Sequence, residues 1–166
     1  MANIDMVVEI PYNTNIKYEY DKKLGKIRCD RILSTSMMYP GNYGYFPNTL
    51  SGDNDPLDVF LISNFQLYPN SVISVKIIGV LITIDESGED EKIIAVPSNC
   101  VDKNYENINT ISNIQENVIE KIKHFFKHYK DNSKSKWIQV GGLYGVERAI
   151  GIYENSKNRH NLMSRV

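Results

Sequence analysis

The first two-thirds of the chain is a succession of short runs rich in Val, Ile and Tyr, and their spacing constrains the fold more than any other feature. The runs are residues 6–10, 16–20, 27–33, 57–63, 72–84 and 92–96. Pro11, Gly25, Pro40-Gly41, Gly52-Asp53, Pro69-Asn70 and Ser87-Gly88 punctuate them with residues that end strands and open turns. Short strands at such intervals predict a closed or partly closed antiparallel barrel.

Near residue 112 the period changes. Ile114, Val118, Ile119, Ile122, Phe125, Phe126 and Tyr129 recur at helical spacing. Ser112 with Gln115 three residues on offers a capping box, and Asp131-Asn132 ends the run. A second helix is expected over 146–153 and beyond, although Gly151 weakens it. With no internal repeat and no linker, residues 1–166 read as a single domain, mainly β with α.

A chain of 166 residues can bury a core without disulfides or a structural metal. Cys29 and Cys100 make neither a disulfide framework nor a metal-binding spacing. Nineteen Lys+Arg against twenty Asp+Glu leave a net charge of −1, which argues against bulk attraction to nucleic acid or an anionic membrane. The opening Met1-Ala2-Asn3-Ile4-Asp5 lacks the features of a signal peptide. The most apolar stretch, 71–84, is interrupted by Ser74, Lys76 and Thr83. The expected setting is a reducing cytoplasm, with no membrane partner.

Position matters more than balance. In Ile16-Lys17-Tyr18-Glu19-Tyr20 the two-residue period puts Lys17 and Glu19 on one face, and Glu9 interrupts an apolar strand in the same way. For any one of these, a solvent-facing position is the plainer explanation. Asp53-Asn54-Asp55-Pro56-Leu57-Asp58-Val59 resists that explanation. Its three carboxylates repel one another unless cations, water or protons relieve them, and Pro56 holds Asp55 extended. Asp58 then opens a very apolar run, at the mouth of a buried strand. Hard oxygen donors so placed suit Mg²⁺ or Mn²⁺.

A calcium loop does not fit. An EF-hand frame begun at Asp53 puts Asp58 where Gly is required and Asn64 where Glu is required, and a frame begun at Asp85 fails likewise. No P-loop, H-E-x-x-H or G-x-G-x-x-G is present. A second acidic group, Asp85-Glu86-Ser87-Gly88-Glu89-Asp90-Glu91-Lys92, reads as a hairpin connection. If a strand begins there, Asp90 and Lys92 share a face.

The Asp53–Val59 segment resembles the D-x-D-P-x-D-V signature of the family I soluble inorganic pyrophosphatases in every position. The resemblance continues through Val8-Glu9-Ile10-Pro11, Ile16-Lys17-Tyr18-Glu19, Asp30-Arg31, Met38-Tyr39-Pro40-Gly41-Asn42-Tyr43-Gly44-Tyr45, Asp85-Glu86-x-Gly88-Glu89-Asp90-x-Lys92 and His124-Phe125-Phe126-x-His128-Tyr129-Lys130. It thins after Trp137, where Val140 to Gly145 is richer in glycine than in many family members.

That resemblance implies an OB-like five-stranded antiparallel β-barrel with two external helices, which hydrolyses pyrophosphate to two phosphates. It implies several Mg²⁺ ions per site, with Mn²⁺ a candidate substitute. Asp53, Asp58 and Asp90 would hold activating ions, Asp58 bridging two, and Asp85 would join Asp90 at a substrate-associated ion. Glu9 and Glu19 would lie near another ion. Lys17, Arg31, Tyr43, Lys92, Tyr129 and Lys130 would contact phosphate, with Tyr39 close by and Asp55 as general base. A hexamer of two trimers would follow from likeness to bacterial members, with His124 and His128 at an interface rather than on zinc.

Charge arithmetic supports a need for metal. Glu9, Glu19, Asp53, Asp55, Asp58, Asp85 and Asp90 against Lys17, Arg31, Lys92 and Lys130 leave a local −3, which repels a polyanion until divalent cations are bound. The alternative class is a non-catalytic OB-fold binder of single-stranded nucleic acid, which would want a basic groove instead. A metal-dependent phosphatase acting on organic diphosphates is a nearer rival. Tyr39, Tyr43 and Tyr45 could equally be packing aromatics in a turn.

Overall fold

Alternation builds the first strand of the computed structural model, which describes residues 3–166. In β1 (Ile4–Ile10), Met6, Val8 and Ile10 are buried, while Asp5, Val7 and Glu9 alternate with them. β1 pairs with β4 (Asn42–Tyr45), β4 with β5 (Asp58–Leu61), β5 with β7 (Gly88–Pro97) and β7 with β6 (Val72–Asp85). The pairing of β6 with β1, Ile4 opposite Val75, closes a ring of five strands. This is the OB-like barrel expected.

One pairing departs from the antiparallel expectation. β5 and β7 run parallel, Asp58 opposite Lys92. The cause is topological: directions cannot alternate all the way around a closed ring with an odd number of strands. The parallel pair also sets Asp58 beside Lys92.

Two strands went unforeseen in the sequence. β4 is only four residues and is framed by Pro40, Gly41 and Gly44, so it reads as a turn. Gly44 is required there, because a Cβ would collide with the Val7 carbonyl of the neighbouring strand. β8 (Ile138–Tyr144) includes Gly141-Gly142 and continues the sheet beyond the ring, along the second half of β6. β6 is long enough to serve β1 with its first half and β8 with its second.

β2 (Ile16–Asp21) and β3 (Lys26–Ile32) form a separate hairpin that packs on β1. α1 (Glu116–His128) buries Ile122, Phe125 and Phe126. Its first turn begins later than the sequence predicts, at Gln115, which makes no side-chain cap. Asn113 fastens the short 3-10 turn ahead of it instead, accepting from the backbone N–H groups of Asn109 and Thr110. Ser112 is spent on the Thr110 hydroxyl. α2 (Val146–Met163) runs through Gly151 and packs on β6, burying Ala149 and Ser156.

The core has two parts. Met6, Val8, Leu57, Val59, Val75, Ile77, Val80 and Ile93 form a largely aliphatic cluster, joined by Phe46 and by Ala149 of α2. Tyr39, Tyr43, Phe60, Phe125, Phe126 and Tyr129 dominate the second, beneath α1. Burying each of these large side chains contributes roughly 1.5–3 kcal/mol. The second part leads to the functional site, because its tyrosines carry a polar end.

Candidate active site

The hairpin β2–β3, the rim of the barrel and the chain leaving α1 enclose a cleft of about 330 Å³. Thirteen of the fourteen residues singled out in the sequence line it. Glu9 comes from β1, Lys17 and Glu19 from β2, Arg31 from β3 and Tyr43 from β4. Asp55 comes from the loop before β5 and Asp58 from its first residue, Asp85 from the end of β6, and Asp90 and Lys92 from β7. Tyr39 precedes β4, and Tyr129 and Lys130 follow α1. Asp53 alone is outside this lining. It accepts a hydrogen bond from the Asp55 backbone N–H at 3.0 Å and so shapes the loop that carries Asp55.

At the floor, Lys92 is buried and spends three hydrogen bonds. It donates to Asp90 at 2.7 Å, to Asp58 at 3.0 Å and to the Tyr43 hydroxyl at 2.7 Å. Burial alone would lower its pKa. The Tyr43 hydroxyl and the carboxylates of Asp58 and Asp90 outweigh burial and hold the ammonium well above the usual lysine range. Burial raises the pKa of Asp90 despite Lys92, and the charge of Asp58 adds to the rise. The shared face of Asp90 and Lys92 on β7 is therefore an ion pair.

Glu9 is strongly perturbed. Burial pushes it up to about 7, the Tyr20 backbone N–H pulls the other way, and the charges of Asp58 and Glu19 raise it further. A second hollow of about 180 Å³ adjoins the cleft and shares Glu9, Glu19, Asp55 and Asp58 with it.

The cations are spent unevenly. Lys130 donates to Asp85 at 3.0 Å. Although desolvation opposes it, the Ser87 N–H and Lys130 together hold Asp85 below the usual carboxylate range. Lys17 meets Asp30 at 3.3 Å on the neighbouring strand. Arg31 makes no ion pair among the described residues. Lys136, from the loop before β8, also lines the cleft. Nothing in Ser133-Lys134-Ser135-Lys136 distinguishes it from Lys134 by sequence.

The tyrosines satisfy both readings at once. Tyr39 is buried against Phe125, ring centroids 4.5 Å apart, and lines the cleft. Tyr43 packs on Phe126 while its hydroxyl accepts from Lys92. Tyr45 lines the adjoining hollow. His124 and His128 lie outside the cleft, their rings 4.8 Å apart on α1, and His128 Nδ1 meets Asp131 at 2.7 Å. Among the described residues no three His, Cys, Asp or Glu side chains stand as a ready-made metal site. In the cleft, Lys92 lies between two of the carboxylates instead.

An OB-like barrel whose rim joins several carboxylates to lysines, an arginine and tyrosine hydroxyls defines a class of protein that handles a small polyanion. Comparison with known proteins is specific. A family model described as "Inorganic pyrophosphatase" matches residues 6–161. An inorganic pyrophosphatase of Sulfolobus acidocaldarius is 50% identical over 139 residues, 84% of this chain and 80% of its own. One from Xanthomonas axonopodis pv. citri is 46% identical over 159 residues, 95% of this chain and 89% of its own. The solved inorganic pyrophosphatase of Helicobacter pylori superposes with a TM-score of 0.94 at 39% identity, covering 96% of this chain and 94% of that one.

The chain belongs to the inorganic pyrophosphatase family. That membership favours pyrophosphate hydrolysis over the nucleic-acid-binding alternative.

Proposed function

We propose that the chain hydrolyses inorganic pyrophosphate to two phosphates, with divalent cations, in the cleft between barrel and hairpin. The observation that carries this is the gathering of carboxylates, cations and tyrosine hydroxyls from nine separate parts of the chain into one cleft.

The donor set fits hard divalent ions. Its ligating atoms are carboxylate oxygens; burial first, and then the charge of neighbouring carboxylates, raises the pKa of both Glu9 and Asp90, a penalty that bound cations relieve. Asp53, Asp58, Asp85 and Asp90 would hold Mg²⁺, with Glu9 and Glu19 near a further ion and Mn²⁺ able to substitute. Bound ions of this kind neutralise the cleft, polarise phosphoryl oxygens and lower the pKa of an attacking water.

The chain's own residues do the positioning. Lys17, Arg31, Tyr43, Lys92, Tyr129 and Lys130 bind the phosphates, Arg31 with two parallel N–H groups and the lysines as point charges. Tyr39, fixed against Phe125, shapes the wall beside them. Asp55 sits exposed on the loop before β5, in both the cleft and the adjoining hollow, where its carboxylate orients a water and takes its proton. Water attacks one phosphorus, the bond to the bridging oxygen breaks, and the second phosphate leaves with the bridging oxygen's electron pair.

We place the protein in the cytoplasm as a hexamer of two trimers. No helix of the described residues is long and apolar enough to cross a membrane. Phosphate release from pyrophosphate, with Mg²⁺ and with chelator, tests the function. Turnover only with the metal is the expected result, and none in either arm refutes it. ATP and a phosphate monoester as substrates separate pyrophosphate hydrolysis from a broader phosphatase.

A further inference from the structure

The segment 129–137 links α1 to β8 across the mouth of the cleft and is clipped on both sides. The Asn132 side-chain amide donates to the Ser34 carbonyl at 3.3 Å, beyond β3. At the other end the Trp137 backbone N–H reaches Glu86 in the β6–β7 turn at 3.4 Å. The register of β8 on β6 pairs Ile138 with Asp85, so Lys136 lies two residues before that pair and close to the Asp85–Lys130 contact.

Lys136 differs from the other lysines of the cleft in what surrounds it. Lys92, Lys130 and Lys17 each meet a carboxylate within 3.3 Å. Lys136 makes no ion pair among the described residues. Partial desolvation, then Arg31, Lys17 and Lys130, push its pKa below the usual lysine value, and Asp30 opposes them only weakly. An ammonium held among like charges is stabilised by an anion from outside the chain.

We propose that Lys136 is a substrate-binding residue that, with Arg31, grips one phosphate of a bound diphosphate at the mouth of the cleft. The proposal rests on the reading of this cleft as a pyrophosphate site. Among the described residues Arg31 and Lys136 are the cleft cations that make no ion pair, and they line the cleft from the hairpin and from the segment after α1. Being a point charge, Lys136 is replaceable by Arg in charge but not by a neutral side chain.

The test compares Lys136→Gln, Lys136→Arg and Lys134→Gln in the full chain with Mg²⁺. Two quantities are read: KM and kcat for pyrophosphate, and calorimetric affinity for methylenediphosphonate, whose P–C–P bridge resists hydrolysis. Lys136→Gln is expected to raise KM and weaken analogue binding, each about tenfold, with kcat within about threefold. Lys136→Arg restores both to within about threefold, and Lys134→Gln, on the same segment but outside the cleft, changes neither.

Unchanged KM and analogue affinity in Lys136→Gln overturn the proposal, as does a loss confined to kcat. An equal loss in Lys134→Gln overturns it too, because the segment rather than the ammonium would then be responsible. Failure of the unaltered protein to hydrolyse pyrophosphate refutes the functional reading separately, and analogue binding still judges Lys136.

Discussion

The two sides of the cleft come from different parts of the molecule. Acids sit mainly on the closed barrel: Glu9 on β1, Asp58 on β5, Asp85 on β6 and Asp90 on β7. Cations sit mainly on what is attached to it: Lys17 and Arg31 on the hairpin, Lys130 and Lys136 on the chain after α1. The exceptions are Glu19, on the hairpin, and Lys92, buried among the barrel's acids. A ligand set for small hard ions needs fixed geometry, which a closed ring of strands supplies. Phosphate-binding side chains must admit substrate and release product, which suits peripheral elements.

The largest effect expected on the acidic side comes from Asp55→Asn. Turnover should fall by roughly 10²–10⁴-fold while Mg²⁺ binding, followed by calorimetry, stays largely intact. Equal loss of both would make Asp55 a ligand. Asp58→Asn should weaken Mg²⁺ binding and activity together, by at least about tenfold. An unchanged Mg²⁺ dependence would remove Asp58 from the metal set.

Lys92→Met tests the exception. In metal-free protein it leaves Asp58 and Asp90 facing each other without their counter-ion, which should cost about 3 kcal/mol in urea unfolding. A loss under about 1 kcal/mol would mean that the pair contributes little to the barrel.

Glu9 provides a pH test with a definite sign. The folded chain keeps its proton up to about pH 7, whereas an unfolded chain releases it near 4.5. Stability therefore falls as pH rises through that window, and the penalty is complete above it. Glu9→Gln removes the penalty: in metal-free protein it should stabilise by roughly 2 kcal/mol at pH 8 and by almost nothing at pH 4. The smallest effect belongs to the exposed pair Lys17–Asp30, where Asp30→Asn should change stability by less than about 1 kcal/mol.

The same contrast explains what the sequence revealed. The acids were legible because they cluster in the chain, three of them between Asp53 and Asp58, in a setting that repulsion makes conspicuous. Strands with clean alternation or long, mostly apolar runs, such as β1 and β6, were legible for the same local reason. β4 was not, because its strand character comes from burial between β1 and β5 rather than from its own glycine-rich residues. Neither was β8, whose Gly141 lies close against Ile82 of β6 and whose two glycines depress any local signal. Lys136 was hidden because its significance is electrostatic and long-range, in a segment that reads as a solvated loop.

The central claim is that the barrel's acids require divalent cations before the peripheral cations can hold a diphosphate. Calorimetric titration of methylenediphosphonate into the purified chain, with Mg²⁺ and with chelator, tests it most directly. Affinity at least about tenfold higher with Mg²⁺ is the predicted result. Equal affinity in both arms would contradict the account, because the cations alone would then outweigh the carboxylates around them.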